Sequence, residues 1–138
     1  MSVCTTSVHD SPTLRQWWNN EKQSVEAYLK LIADSDTENE SSEPLPDKDA
    51  VFDEKTAAFC LESSAWTQSA WFVNPLQDYL FLNQKYYKEQ QDDERINVPG
   101  SVNSFNWTYR IPVSIADLLK DKTLIEAISA IASIHDKR

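Results

Sequence analysis

A histidine and an aspartate stand side by side at His9-Asp10, directly before Ser11-Pro12. A fixed carboxylate in such a pair can accept hydrogen bonds or stabilise positive charge that develops beside it. The same two polar residues can equally form a turn and cap the helix that follows. A second polar group lies far along the chain, in Arg95-Ile96-Asn97-Val98-Pro99-Gly100 and in Asn106-Trp107-Thr108-Tyr109-Arg110. Trp71, Tyr86, Tyr87 and Trp107 add large rings, which either stack on a ligand face or, more commonly, pack in a core. Cys4 and Cys60 are the only cysteines, with no CxxC and no Cys/His cluster. A disulfide framework and a metal site are therefore not expected. Gly100 is the only glycine, so a Gly-rich phosphate cradle is excluded and no cofactor is expected.

The elements that must position these residues follow from pattern. Val3 to Ser7 is short, β-branched and without helical period, which predicts a strand. Ser11 before Pro12 has the chemistry of a helix start. Leu14, Trp17, Trp18, Val25, Tyr28, Leu29 and Ile32 then recur at helical spacing, predicting one helix from Pro12 to Ala33. A strand feeding a helix through a polar turn is half of a parallel βα unit. Residues 35–48 are acidic and Ser-rich, and read as a solvated, flexible loop. Val51 to Leu61 reads as a helix, and Ala70-Trp71-Phe72-Val73 as a buried strand. Asn74-Pro75-Leu76-Gln77 repeats helix-start chemistry, with Asn74 as cap and a helix through Leu82. Residues 83–111 show no clean period and read as a long closing loop. Ser114 caps a short helix to Leu119. Thr123 with Glu126 forms a capping box for a last helix, whose stripe of Leu124, Ile125, Ile128, Ile131 and Ile134 either packs on a neighbouring element or forms a dimer face. The fold class is thus mostly α with two short strands, and two strands alone make no stable sheet.

Length and charge narrow the function. The chain has 138 residues, with 13 Lys and Arg against 22 Asp and Glu and a net charge of −9. That is one ordinary domain at most. No basic face is evident, so neither nucleic acid nor an anionic membrane is an expected partner. No apolar run reaches the roughly 18–20 residues of a membrane span. No basic-then-apolar leader precedes Val3, and a cytoplasmic location is expected.

Several of these strings resemble one family when taken together. The segment from Thr5 through His9-Asp10-Ser11-Pro12 to Trp17-Trp18 resembles the His-Asp segment of the amylomaltases. These are the 4-alpha-glucanotransferases of glycoside hydrolase family 77, also called disproportionating enzymes. Leu76-Gln77-Asp78 resembles that family's helix start after its last barrel strand. Arg95 to Gly100, Asn106 to Arg110 and Ile111-Pro112-Val113-Ser114 resemble its C-terminal signature. The matches come in the family's order and span most of residues 3–120. Val8 departs from the pattern, since the family more often has a polar residue before the His.

The resemblance implies that residues 1–138 are the C-terminal segment of a (β/α)8 TIM barrel, its seventh and eighth βα units. The site of such barrels lies at the C-terminal ends of the strands, where His9 and Asp10 stand. The implied activity is transfer of α-1,4-glucan units between maltooligosaccharides with retention. That chemistry requires a carboxylate nucleophile and a carboxylic acid/base roughly 5 Å apart. The resemblance places both outside this chain and makes Asp10 a third carboxylate, with His9 bonding the same sugar. Trp107, Asn106 and Asn97 are then candidate substrate contacts, beside the reading in which Arg110 holds the loop through a buried carboxylate pair. The isolated chain is expected to be catalytically incomplete, and the missing N-terminal part of the barrel is an expected partner. Barrel-facing apolar groups among Val3, Trp71, Phe72 and Val73 would then lack neighbours. The alternatives are a non-catalytic glucan-binding or regulatory remnant and a small helical interaction domain.

Overall fold

A computed structural model describes residues 1–35 and 44–136. Most of the acidic stretch read as a flexible loop over 35–48 lies outside the described residues. The chain is mostly helical, with two short parallel strands. Strand β1 is Val3–Cys4 and β2 is Trp71–Phe72, paired in parallel with Val3 opposite Trp71 and Cys4 opposite Phe72. The ladder is completed by Trp71 N–H donating to Ser2 O (3.2 Å) and Val73 N–H to Cys4 O (3.0 Å). Both strands are shorter than predicted; β1 ends at Cys4 because the side chains of Asn74 and Asp78, not a neighbouring strand, bind Thr6 and Ser7.

The helix predicted over Pro12 to Ala33 is two helices, α1 (Leu14–Asn20) and α2 (Lys22–Ser35). Glu21 leaves helical geometry at φ −110° and ψ 56°, although its N–H still reaches Trp17 O. The preceding asparagines are engaged elsewhere: Asn19 accepts from Phe52 N–H (3.2 Å) and Asn20 from Gln91 Nε2 (3.2 Å). Asn is a weak helix former because its amide competes for such bonds. The start of α1 also differs. Thr13, not Ser11, is the cap: its hydroxyl accepts from Gln16 N–H (3.2 Å), and Gln16 Oε1 accepts from Thr13 N–H (3.3 Å) in a full capping box.

Helix α3 (Glu54–Ala65) begins at Asp53, whose carboxylate accepts from the Thr56 N–H and hydroxyl at 2.8 and 2.9 Å. Those bonds hold the Asp53 carboxyl below its ordinary value. Helix α4 (Leu76–Leu80) has Pro75 at its cap position with no side-chain bond; Asn74, expected there, instead accepts from Thr6 N–H at 3.0 Å. Helix α5 (Ile115–Leu118) is capped by Ser114 as predicted. Helix α6 (Lys122–Asp136) is entered through Asp121, which accepts from Leu124 N–H at 3.2 Å, so Thr123 lies inside the helix.

Three apolar clusters hold these pieces together. Leu14, Trp18, Val25, Phe52, Ala57, Cys60 and Phe81 form the first. Leu80, Tyr86, Leu118 and Leu124 form the second, and Leu61, Ala65 and Ile131 the third. The stripe of α6 therefore packs largely on α3 and α4 rather than facing solvent. The two-stranded sheet turns Phe72 inward to the third cluster, while Val3, Trp71 and Val73 are exposed at 62%, 54% and 56%. Phe72 thus leaves the set of apolar groups expected on the open face. No helix among the described residues is long and apolar enough to cross a membrane.

Candidate functional site

The chain leaves β1 and turns at Val8–Ser11, where Ser11 N–H donates to Val8 O at 3.1 Å. The Ser11 hydroxyl closes the same turn by accepting from Val8 N–H (3.0 Å). His9 and Asp10 are the two central residues, at the open tip. Neither caps α1, since Thr13 does so. Their side chains approach each other, with His9 Nε2 3.4 Å from Asp10 Oδ2, and each is about half exposed. Asp10 Oδ1 accepts from Asn97 Nδ2 at 2.6 Å. Arg95 Nη2 donates to the Asp10 backbone carbonyl (3.2 Å) and Arg95 Nε to Asn97 O (3.0 Å). The segment 95–97 is thus tied to both the side chain and the backbone of Asp10.

The next turn uses the chain's one glycine. Gly100 has φ +76°, a left-handed conformation that glycine adopts without a Cβ penalty. Asn106 braces this turn: its Oδ1 accepts from Val98 N–H (3.1 Å) and its Nδ2 donates to Ser101 O (3.0 Å). Asn106 therefore supports the loop, and its amide is consumed internally. Trp107 follows, also left-handed at φ +67°, with its N–H donating to Ile96 O at 2.8 Å. Positive φ is a genuine outlier for a bulky residue, and such strain concentrates at functional sites. The Trp107 ring lies against His9, with centroids 5.2 Å apart at 40°, yet stays 60% exposed.

His9, Asp10, Asn97 and Trp107 therefore converge on one surface, with Asn106 behind it. The other aromatic candidates do not join them. Tyr86 is buried and donates its hydroxyl to Asp121 (2.7 Å); Tyr87 donates to Phe81 O (2.8 Å) among Phe52 and Phe81. Trp71 is exposed on the sheet's open face. Among the described residues, Arg110 bonds backbone carbonyls of Thr108 and Tyr109 and no carboxylate. The arginine–carboxylate pair that holds the loop is instead Arg15 with Glu94, at 2.9 Å, with the Glu94 side chain 2% exposed. Burial pushes the Glu94 carboxyl up, against the Lys88 N–H and Arg15, which lower it. The Arg15–Glu94 pair and the contact of Arg95 with Asp10 escaped sequence reasoning, because the partners lie 79 and 85 positions apart.

Comparison with known proteins gives these strings a setting. The sequence profile of glycoside hydrolase family 77, 4-alpha-glucanotransferase, matches residues 1–116. A 4-alpha-glucanotransferase of Chlamydia pneumoniae is 31% identical over 118 residues, covering 86% of this chain and 20% of that protein. One from Oryza sativa subsp. japonica is 29% identical over 133 residues, covering 96% of this chain and 13% of its own length. One from Chlamydia trachomatis is 29% identical over 131 residues, covering 95% and 23%. The chain thus spans less than a quarter of each of these relatives. With the profile matched over most of its residues, this chain belongs to glycoside hydrolase family 77, the 4-alpha-glucanotransferase family.

Proposed function

We propose that this chain supplies the donor-sugar side of a 4-alpha-glucanotransferase site and works with catalytic residues outside it. The observation that carries the reading is the Asp10 carboxylate, oriented by Asn97 and Arg95 and flanked by the tilted His9–Trp107 ring contact on an open surface. A retaining transfer passes through an oxocarbenium-like transition state, made and resolved by a nucleophile and an acid/base. Those two belong to the part of the family fold that this chain does not match. Asp10 accepts hydrogen bonds from ring hydroxyls of the donor glucose with Oδ2, the oxygen that Asn97 leaves free. Its charge opposes the positive charge developing on the sugar, and a fixed anion needs no reorganisation at that moment. His9 bonds the same sugar, and the exposed Trp107 face offers an apolar platform. In this reading β1 and β2 are the seventh and eighth barrel strands, and the exposed Val3, Trp71 and Val73 face the barrel interior. The substrate is an α-1,4-glucan.

Glucan contact at this surface is measurable without turnover. Maltoheptaose added to the chain should change its tryptophan fluorescence saturably, and Trp107→Ala should weaken that binding. Losing an aromatic platform costs about 1 kcal/mol, or roughly fivefold in Kd. A titration curve identical in Trp107→Ala would place glucan elsewhere or nowhere on the chain.

A further inference from the structure

Helix α4 carries two polar side chains where a core helix would ordinarily place apolar ones. Gln77 is 8% exposed and Asp78 is 1% exposed. Asp78 Oδ2 accepts from the hydroxyls of Thr6 and of Ser7, the latter at 2.8 Å. Gln77 Nε2 donates to the backbone carbonyl of Glu94. The two neighbours therefore reach opposite halves of the candidate site: Thr6-Ser7 leads into the His9-Asp10 turn, and Glu94 directly precedes Arg95. Neither half is held by a strand or a long helix. Strand β1 ends at Cys4, and the segment after Glu94 is irregular through Ser114. A third bond from the same block, Thr6 N–H to Asn74 Oδ1, adds to the hold on the first half.

Burying a carboxylate is costly even with two hydroxyl donors, and Asp78 Oδ1 has no hydrogen-bond partner. An apolar residue would pack α4 at lower cost, so the polar pair is explained by what it ties together. We propose that Gln77 and Asp78 are positioning residues that set the spacing between the His9-Asp10 turn and the Arg95–Asn97 segment, so that the Asn97 amide meets the Asp10 carboxylate. The functional weight of this clamp rests on the reading of Asp10 given above; its geometric effect does not. Trp107 rides on the second half through its bond to Ile96 O, and His9 sits on the first. Their ring contact is therefore a ruler for the spacing.

The test reads that ruler by NMR. The chain has two histidines, His9 and His135, so His135→Gln assigns the imidazole Cε1–H signals. Trp107→Ala defines where the His9 signal falls without the indole ring current. In the Gln77→Met variant and in the Thr6→Val/Ser7→Ala double variant, the His9 signal should shift to that reference while the cooperative melt survives. Asp78→Asn keeps an acceptor where Oδ2 stands and should leave the signal at its original position. A His9 signal unmoved in either disrupting variant overturns the proposal. So does loss of the cooperative melt in both, because the pair would then hold the core rather than the site. No glucan enters these measurements, so failure of the clamp and failure of the glucanotransferase reading are separately visible.

Discussion

If the proposed function holds, Asp10→Asn, introduced where the rest of the family's sequence is present in cis or as a partner chain, should lower kcat by about 10²–10³-fold, roughly 3–4 kcal/mol of transition-state stabilisation. KM should change little, so that kcat and kcat/KM fall together, as they do when an interaction made only in the transition state is removed. The structure makes this a clean comparison. The Asn side-chain oxygen can still accept from Asn97 Nδ2, which now meets Oδ1 at 2.6 Å. Arg95 holds the backbone carbonyl, which the substitution does not touch. Helix α1 is capped by Thr13, so no cap is lost. Thermal stability should therefore stay at its original value while turnover collapses. Near-normal kcat in this variant would remove Asp10 from the catalytic machinery.

The second large effect is on stability. Arg15→Met should destabilise the chain by about 3–5 kcal/mol at neutral pH, the usual cost of stranding one member of a buried ion pair. Arg15 Nη1 donates to Glu94 at 2.9 Å and to Lys88 O at 2.9 Å, and its guanidinium lies over the Tyr87 ring. Glu94 would keep the Lys88 N–H but lose its charge partner in a nearly closed environment. Without Arg15, burial raises the Glu94 carboxyl further above its unfolded value. A folded-state pKa raised above the unfolded one favours folding below the unfolded value and loses that contribution as pH rises. The deficit relative to the parent chain should therefore shrink in acid and grow toward neutrality. Urea unfolding at pH 4.5 and pH 7 checks this; equal deficits at both pH values would mean that Glu94 is not the stranded group.

Elements with strong local signals were legible. The apolar stripe of α6 and the Ser114 cap sit where the pattern predicts, because each depends on residues close in sequence; α3 is shifted to Glu54–Ala65 from the expected Val51–Leu61, and the run at β2, expected to be buried, leaves Trp71 and Val73 exposed. The misplaced caps of α1 and α6 come from competition between chemically similar residues, and the other errors from long-range bonds. Ser11 and Thr13 are both good caps, but only Thr13 has a glutamine three residues on, and the reciprocal bond selects it. At α6 Asp121 takes the cap by accepting from Leu124 N–H, although Thr123 is the residue with a glutamate three positions on. Asn74 would cap α4 but is drawn to Thr6 across the sheet end. The break at Glu21 carries no glycine or proline; it follows from bonds that Asn19 and Asn20 make to distant segments.

The surface around Asp10 was less legible from residues alone. Asn97 and Asp10 are 87 positions apart, and Arg15 and Glu94 are 79 apart. No periodicity connects such pairs, and His9-Asp10 by itself fits a turn as well as a site. Resemblance singled out the segments, and the fold then brought them together. It did not foresee that Asn106 would be spent bracing its own loop, or that the loop's ion pair would use Arg15 rather than Arg110.

Under the proposed function the chain carries the charge-stabilising side of a glucanotransferase site and lacks the residues that cleave the bond. Purified chain incubated with maltotriose, with the products resolved by chromatography, decides this. No glucose and no longer maltodextrins should form above a protein-free control at any concentration of the chain. Disproportionation that scales with the amount of chain would contradict it, because a nucleophile and an acid/base would then have to lie within these 138 residues.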